Sequence, residues 1–99
     1  MSTAAEWRSQ RTRRLFEAML ALETLDEAAR FFRDLCTLSE IEAMSQRWHI
    51  VRLLEDGLPY REVAEQAGSS TATVTRISQW LRHGEGGYRL ILDRIGGSS

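Results

Sequence analysis

Lysine is absent from this chain. Its basic residues, 13 in number, are all arginine, and 14 carboxylates leave a formal net charge of −1. That balance excludes a uniformly basic protein that holds a polyanion by overall attraction. There is a single cysteine and a single proline. One cysteine cannot build a disulfide framework. Cys36, flanked by Leu35 and Leu38, is expected to be a buried, inert thiol rather than a reactive one. The longest fully apolar run is 18–22, far short of the roughly 18–20 residues a membrane span needs. No apolar signal segment follows the charged start MSTAAEWRSQRTRR, so a cytoplasmic protein without a membrane partner is expected. No Gly-rich phosphate loop and no serine in a nucleophile elbow occur. His49 and His83 lack the neighbouring cysteine pair of a metal site. Glu55 and Asp56 close a helix and need no chemistry. An enzyme is therefore not expected, and no catalytic residue, metal or cofactor is assigned.

What is present is uneven. Residues 1–14 hold Arg8, Arg11, Arg13 and Arg14 against Glu6, a net of +3; residues 15–58 hold nine acids and four bases, a net of −5; residues 59–83 hold three arginines against Glu62 and Glu65, a net of +1. The acidity belongs to the middle of the chain, so a locally neutral-to-basic face is available. At physiological salt, charges beyond about 8 Å are largely screened. The hydrophobic fraction of 42% and the scarcity of proline indicate a folded, helical chain. At 99 residues the core of one domain is modest, and pairing with a second copy is expected.

Caps and periodicity place the helices. The first is expected over about 4–22, with Leu15, Phe16, Met19 and Leu22 on its apolar face. The box TLDE (24–27) opens a second, whose face is Ala28, Phe31, Phe32 and Leu35. The box TLSE (37–40) opens a longer third, expected to bury Ile41, Met44, Trp48, Val51 and Leu54. Gly57 stops it with a left-handed backbone, and Pro59 fits the first turn of the next helix. A short last helix covers about 88–95. GEGG (84–87) and GGSS (96–99) are linker-like, the latter a flexible tail.

The stretch YREVAEQAGSSTATVTRISQWL (60–81) carries the strongest motif. Val63 and Ala64 lie in one short helix that ends at Ala67, and Gly68 turns the chain. Ser69 or Ser70 then caps a second helix with Val74 and Ile77 inward. Two steeply crossing helices need a small residue at their contact, which Ala64 supplies, and the tight turn needs a backbone that Gly68 tolerates. This is a helix-turn-helix over about 59–82. Its outer face presents Thr71, Ala72, Thr75 and Gln79, short groups suited to base edges in a major groove. Ser70 stands at the start of that face, and Arg61 and Arg82 are placed to meet base or phosphate. A solvated Arg61 paired with Glu65 at i+4 is the plainer alternative. The arginines of 8–14 would suit a phosphate-touching arm, but Trp7, Leu15 and Phe16 favour a packed helix that merely displays them.

Three segments, FFRDLCT (31–37), TLSEIEAMSQRWHIV (37–51) and STAT (70–73), together with Gly57, ATVTRIS (72–78) and Leu81, resemble the tryptophan repressor superfamily, above all its YerC/YecD-type branch. The resemblance covers about residues 11–95. It implies an all-α, intertwined homodimer that binds double-stranded operator DNA as a transcriptional regulator. The two reading helices would sit roughly one DNA turn, ~34 Å, apart. The positions it matches to DNA contact are Arg61, Thr71, Ala72, Thr75 and Arg82.

The resemblance also marks an effector pocket. The two arginines that flank an indole in the repressor match Arg47 and Arg76, and its threonines match Thr37 and Thr73. Two small pocket positions match Ile77 and Trp80, whose bulk would occupy the ligand's space. Free tryptophan is therefore not expected as corepressor, which leaves room for another small-molecule effector. Trp80 would steady the reading head instead. The plainer alternative pairs Arg47 and Arg76 with acids such as Glu42 or Glu62 and puts Trp80 in the core. A competing class is a helical protein–protein module that does not bind DNA.

Overall fold

A computed structural model describes residues 7–96. Among them are six helices and no strand: α1 (Gln10–Leu20), α2 (Leu25–Leu35), α3 (Leu38–Glu55), α4 (Tyr60–Ala67), α5 (Thr71–His83) and α6 (Gly87–Gly96). The fold is all-α. Two compact units divide the chain, Met1–Ile41 and Glu42–Ser99.

In the first unit, Ser9 caps α1 by accepting the Thr12 N–H at 3.1 Å. The helix therefore starts at Gln10, later than the expected start near residue 4; positions 4–6 lie outside the described residues. Trp7 precedes the helix and meets Phe16 edge-on, with ring centroids 5.9 Å apart. Arg8 stacks over the Trp7 ring at 4.8 Å. Thr24 caps α2, its hydroxyl accepting the Glu27 N–H at 3.1 Å. The Glu27 carboxylate reaches one residue further back than a strict capping box, to the Glu23 N–H at 2.9 Å. Thr37 and Glu40 make the full reciprocal box at the start of α3, at 3.1 and 2.8 Å. No residue of α1 or α2 is fully buried. Cys36 is only partly buried, because it ends α2 in extended backbone instead of sitting on the helix's apolar face.

The second unit holds the core: Ile50, Val51, Leu53, Val63, Ala64, Val74, Ile77 and Leu92. Of the five residues expected to be buried on α3, only Val51 is fully so; Ile41, Met44, Trp48 and Leu54 are partly buried. Ile50 and Leu53 complete the core instead. At 3.6 residues per turn, Ile50, Val51, Leu53 and Leu54 span roughly 160° of the helix. Ile41 and Met44 lie outside that arc and Trp48 packs at its edge, so one continuous face does not describe α3.

Two glycine stops of the same kind bracket α4. After α3, Gly57 takes φ +86. The Gly57 N–H donates to the Leu54 carbonyl at 3.0 Å and the Leu58 N–H to the Leu53 carbonyl at 3.4 Å, the paired bonds of a Schellman ending. Pro59 is the N-cap of α4 rather than its first helical residue. Its missing N–H is harmless there too, since a cap's N–H makes no bond within the helix. Beyond α5, the last helix is fastened to α3 in two ways. Trp48 and Tyr88 pack with ring centroids 6.2 Å apart, and Arg89 grips Glu55 with two parallel bonds of 2.9 and 3.0 Å. Leu92 completes the attachment from within the core. Gly96 is the last residue of α6, and the rest of the expected tail, 97–99, lies outside the described residues.

Candidate nucleic-acid interface

α4 and α5 pack against one another as a helix-turn-helix. Gly68 has φ +70 and ψ 36, a left-handed conformation that favours glycine. A Cβ there would touch nothing within 4 Å, so the backbone and not the space demands glycine. The Ser69 N–H donates to the Ala64 carbonyl at 3.0 Å and the Gly68 N–H to the Glu65 carbonyl at 3.4 Å. The carbonyls at the turn gain a further partner from α3. Gln46 Nε2 donates to the Ala67 oxygen at 3.1 Å and, more loosely, to that of Gly68 at 3.4 Å.

Ser70, not Ser69, caps α5, its oxygen accepting the Thr73 N–H at 3.1 Å. The Ser70 hydroxyl, a candidate for DNA contact, is thus also part of the helix start. The two sides of α5 differ sharply. Val74 and Ile77 are 0% and 1% exposed. Thr71, Ala72, Thr75 and Gln79 are all exposed, as is Arg61 on α4. Among the described residues no ion pair joins Arg61 to Glu65; the pairs present are Arg13–Glu17, Arg30–Asp26 and Arg89 with Glu55 and Asp93. The Arg61 side chain is available to a ligand.

Arg82 is exposed but held. Its Nη2 donates to the Tyr60 hydroxyl at 3.3 Å. Tyr60 in turn makes a short hydrogen bond with Ser78, which is 3% exposed and is the buried polar residue of the unit's core. The sequence does not mark Tyr60 and Ser78 as partners of Arg82. The visible traces are a serine on the inward side of α5 and the i, i+4 spacing of Ser78 and Arg82. An open cleft lined by Leu54, Leu58, Tyr60, Ser78, Leu81 and Arg82 lies beside this network.

The second group of candidates behaves differently. Thr37 belongs to the first unit, where its hydroxyl caps α3. Arg47 and Arg76 are exposed and form no ion pair with Glu42 or Glu62 among the described residues. Glu62 accepts from Gln66 instead, at 3.2 Å. Thr73 is partly buried, its hydroxyl 3.1 Å from that of Ser70. Ile77 is sealed in the core, whereas Trp80 is 50% exposed and no core residue. A shallow groove runs from Trp80 past Gly84 and Gly87 to Tyr88.

Comparison with known proteins agrees with this fold. The family model described as Trp repressor protein matches residues 10–96. The uncharacterised protein YerC of Bacillus subtilis is 41% identical over 81 residues, 82% of this chain and 78% of that protein. The Trp operon repressor homolog of Chlamydia trachomatis is 39% identical over 72 residues, 68% of this chain and 77% of that one. The crystal structure of a TrpR-like protein from Eubacterium eligens superposes with a TM-score of 0.87 at 40% identity, covering 92% of this chain and 94% of its own. The matched span includes all six helices, and the chain belongs to the Trp repressor family.

Proposed function

We propose that this protein is a transcriptional regulator of the cytoplasm that binds operator DNA in a sequence-specific manner, as a homodimer, without free tryptophan as corepressor. The observation that carries the reading is the two-sidedness of α5. Val74 and Ile77 anchor one side while Thr71, Ala72, Thr75 and Gln79 stand open on the other. Short hydroxyl, methyl and amide groups in that arrangement can approach base edges in a major groove. Arg61 is the candidate for a bidentate contact to guanine, worth about 1–3 kcal/mol of discrimination. Family membership supports the class of activity. The dimer is supported by the open apolar residues of the first unit, among them Leu20 and Leu25 at 85% and 88% exposure.

The corepressor reading rests on bulk. Ile77 is fixed by core packing and Trp80 projects half-exposed from α5, in positions matched to small residues of the repressor's pocket. The exposed Arg47 and Arg76 are consistent with some other effector. Selection from random duplex DNA tests the main claim. A palindromic winner bound with a steep loss on added salt supports it. No enriched sequence from a protein that is still dimeric favours the interaction-module alternative. Arg61→Ala is expected to lose preference at one base pair. Micromolar binding of L-tryptophan by calorimetry, with tighter DNA binding as a result, would overturn the corepressor claim.

A further inference from the structure

We infer that Tyr60 is a positioning residue for DNA binding: its hydroxyl, braced by Ser78, holds the Arg82 guanidinium ready for a phosphate. The inference rests on the DNA-binding reading above and adds to it a part played by the first residue of α4.

A guanidinium can only donate hydrogen bonds. The Tyr60 oxygen therefore accepts from Arg82 Nη2, at 3.3 Å. The Tyr60 hydroxyl also meets the neighbouring Ser78 hydroxyl in a short bond, in which either can be the donor. Ser78 is 3% exposed on the core side of α5, one position beyond Ile77, so the end of this chain of hydrogen bonds is fixed by packing. The Tyr60–Ser78 bond is part-buried, where linked hydrogen bonds strengthen one another, while the Arg82 bond faces the solvent from which a phosphate would come. A free arginine side chain must surrender much of its rotamer freedom when it grips a phosphate; one already restrained surrenders less, and binding is tighter for it.

Restraint does not cost Arg82 its charge. Tyr60 is a neutral partner, and among the described residues no carboxylate pairs with Arg82. Arg89, in contrast, is bound by Glu55 and Asp93, which neutralise it. Of the two arginines that line the cleft, Arg82 is thus aimed without being spent.

The test is a double-mutant cycle of Tyr60→Phe and Arg82→Ala, read by fluorescence anisotropy on a palindromic duplex that the wild-type protein has selected from a random pool. Phenylalanine keeps the ring and removes only the hydroxyl. Tyr60→Phe is expected to weaken binding about three- to tenfold for each protomer in the wild-type background, the scale of one hydrogen bond apiece, and less than about twofold for each in the Arg82→Ala background. The salt slope should stay at the wild-type value in Tyr60→Phe and fall by about 1.8 in Arg82→Ala, about 0.9 for the phosphate lost by each protomer of the dimer. Equal losses in both backgrounds overturn the inference, because Tyr60 would then act through the fold at large. A second measurement needs no DNA. Nitrogen-15 relaxation of the Arg82 side chain should show restricted motion in the wild type and free motion in Tyr60→Phe, and equal mobility in the two overturns the relay itself. A wild-type protein that binds no duplex overturns the DNA-binding reading and, with it, the purpose given to Tyr60.

Discussion

The two units of this chain use the same building material to different ends. In Glu42–Ser99, eight apolar residues from α3, α4, α5 and α6 are buried together. In Met1–Ile41, α1 and α2 are amphipathic helices with good caps and no fully buried residue. Capping satisfies backbone donors and decides where a helix starts, but it adds only about 0.5–2 kcal/mol for each cap. Burial of one large aliphatic side chain adds about 1.5–3 kcal/mol, and the core of the second unit contains several. The second unit is therefore built to hold its shape by its own packing. The first leaves apolar side chains such as Leu20 and Leu25 open, and a second copy of the chain is the cover we propose.

Breaking the core side of this comparison should have the largest effect. Ile50→Ala removes a fully buried side chain and is expected to destabilise the protein by about 2–5 kcal/mol in urea melts. A cost under 1 kcal/mol would mean that the core is not where the structure puts it. Next comes the stop after α5. A Cβ on Gly84 would stand 2.5 Å from the Trp80 carbonyl oxygen, which is backbone and cannot swing aside. Gly84→Ala should cost about 1–3 kcal/mol, as for other overpacked sites. Gly87→Ala, which meets nothing within 4 Å, serves as the control.

A smaller effect sharpens the contrast from the other side. Leu25→Ala in a chain that stays single should change stability by no more than about 0.5 kcal/mol, because the side chain is exposed. Covered by a second copy, it should cost more than about 1 kcal/mol at high concentration, and the cost should shrink on dilution. Thermal melts at two concentrations a hundredfold apart distinguish the cases, and a small, concentration-independent change would leave the dimer without its supporting surface.

The smallest effect concerns α6. The hydrogen bond from Arg89 holds the Glu55 carboxyl below its ordinary value of 4.5. A carboxyl lowered in the folded state adds stability that is complete above that ordinary value. The contribution is lost as pH falls through the folded value. Both groups face solvent, so the change is modest. Fluorescence of Trp48, which packs on Tyr88, should report a loosening of α6 below about pH 4.5 in the wild type, as expected for a carboxylate latch. In Glu55→Gln that acid step should be missing, and an unchanged step would show that another group drives it.

Much of the local structure is legible in the sequence. Thr24 and Thr37 each accept a backbone N–H from the residue three places on, which is what their place before an apolar run indicates, and of the two candidates Ser69 and Ser70 it is Ser70 that does the same. Gly57 and Gly68 both take positive φ. These features depend on residues within one turn of each other, so a linear reading finds them. The misreading of α3 has the opposite cause. Which side of a helix becomes core depends on where other helices press, and Ile50 and Leu53 lie off the stripe that starts at Ile41. Pro59 was misplaced by one residue, within the tolerance of any boundary argument. In the candidate interface, the open side of α5 was legible from its apolar spacing. The brace behind Arg82 was not, because Tyr60 and Ser78 are 18 residues apart.

By itself, the amino-acid order determined the helices, their stops and the helix-turn-helix, through hydrogen bonds and backbone preferences that act between near neighbours. Folding in three dimensions decided what those elements do to each other. It closed a core around Ile50, tied α6 to α3 through Glu55 and Arg89, let Gln46 reach the turn, and set a tyrosine hydroxyl beside Arg82. Contacts of that kind form between side chains distant along the chain, and their geometry exists only once the helices have packed.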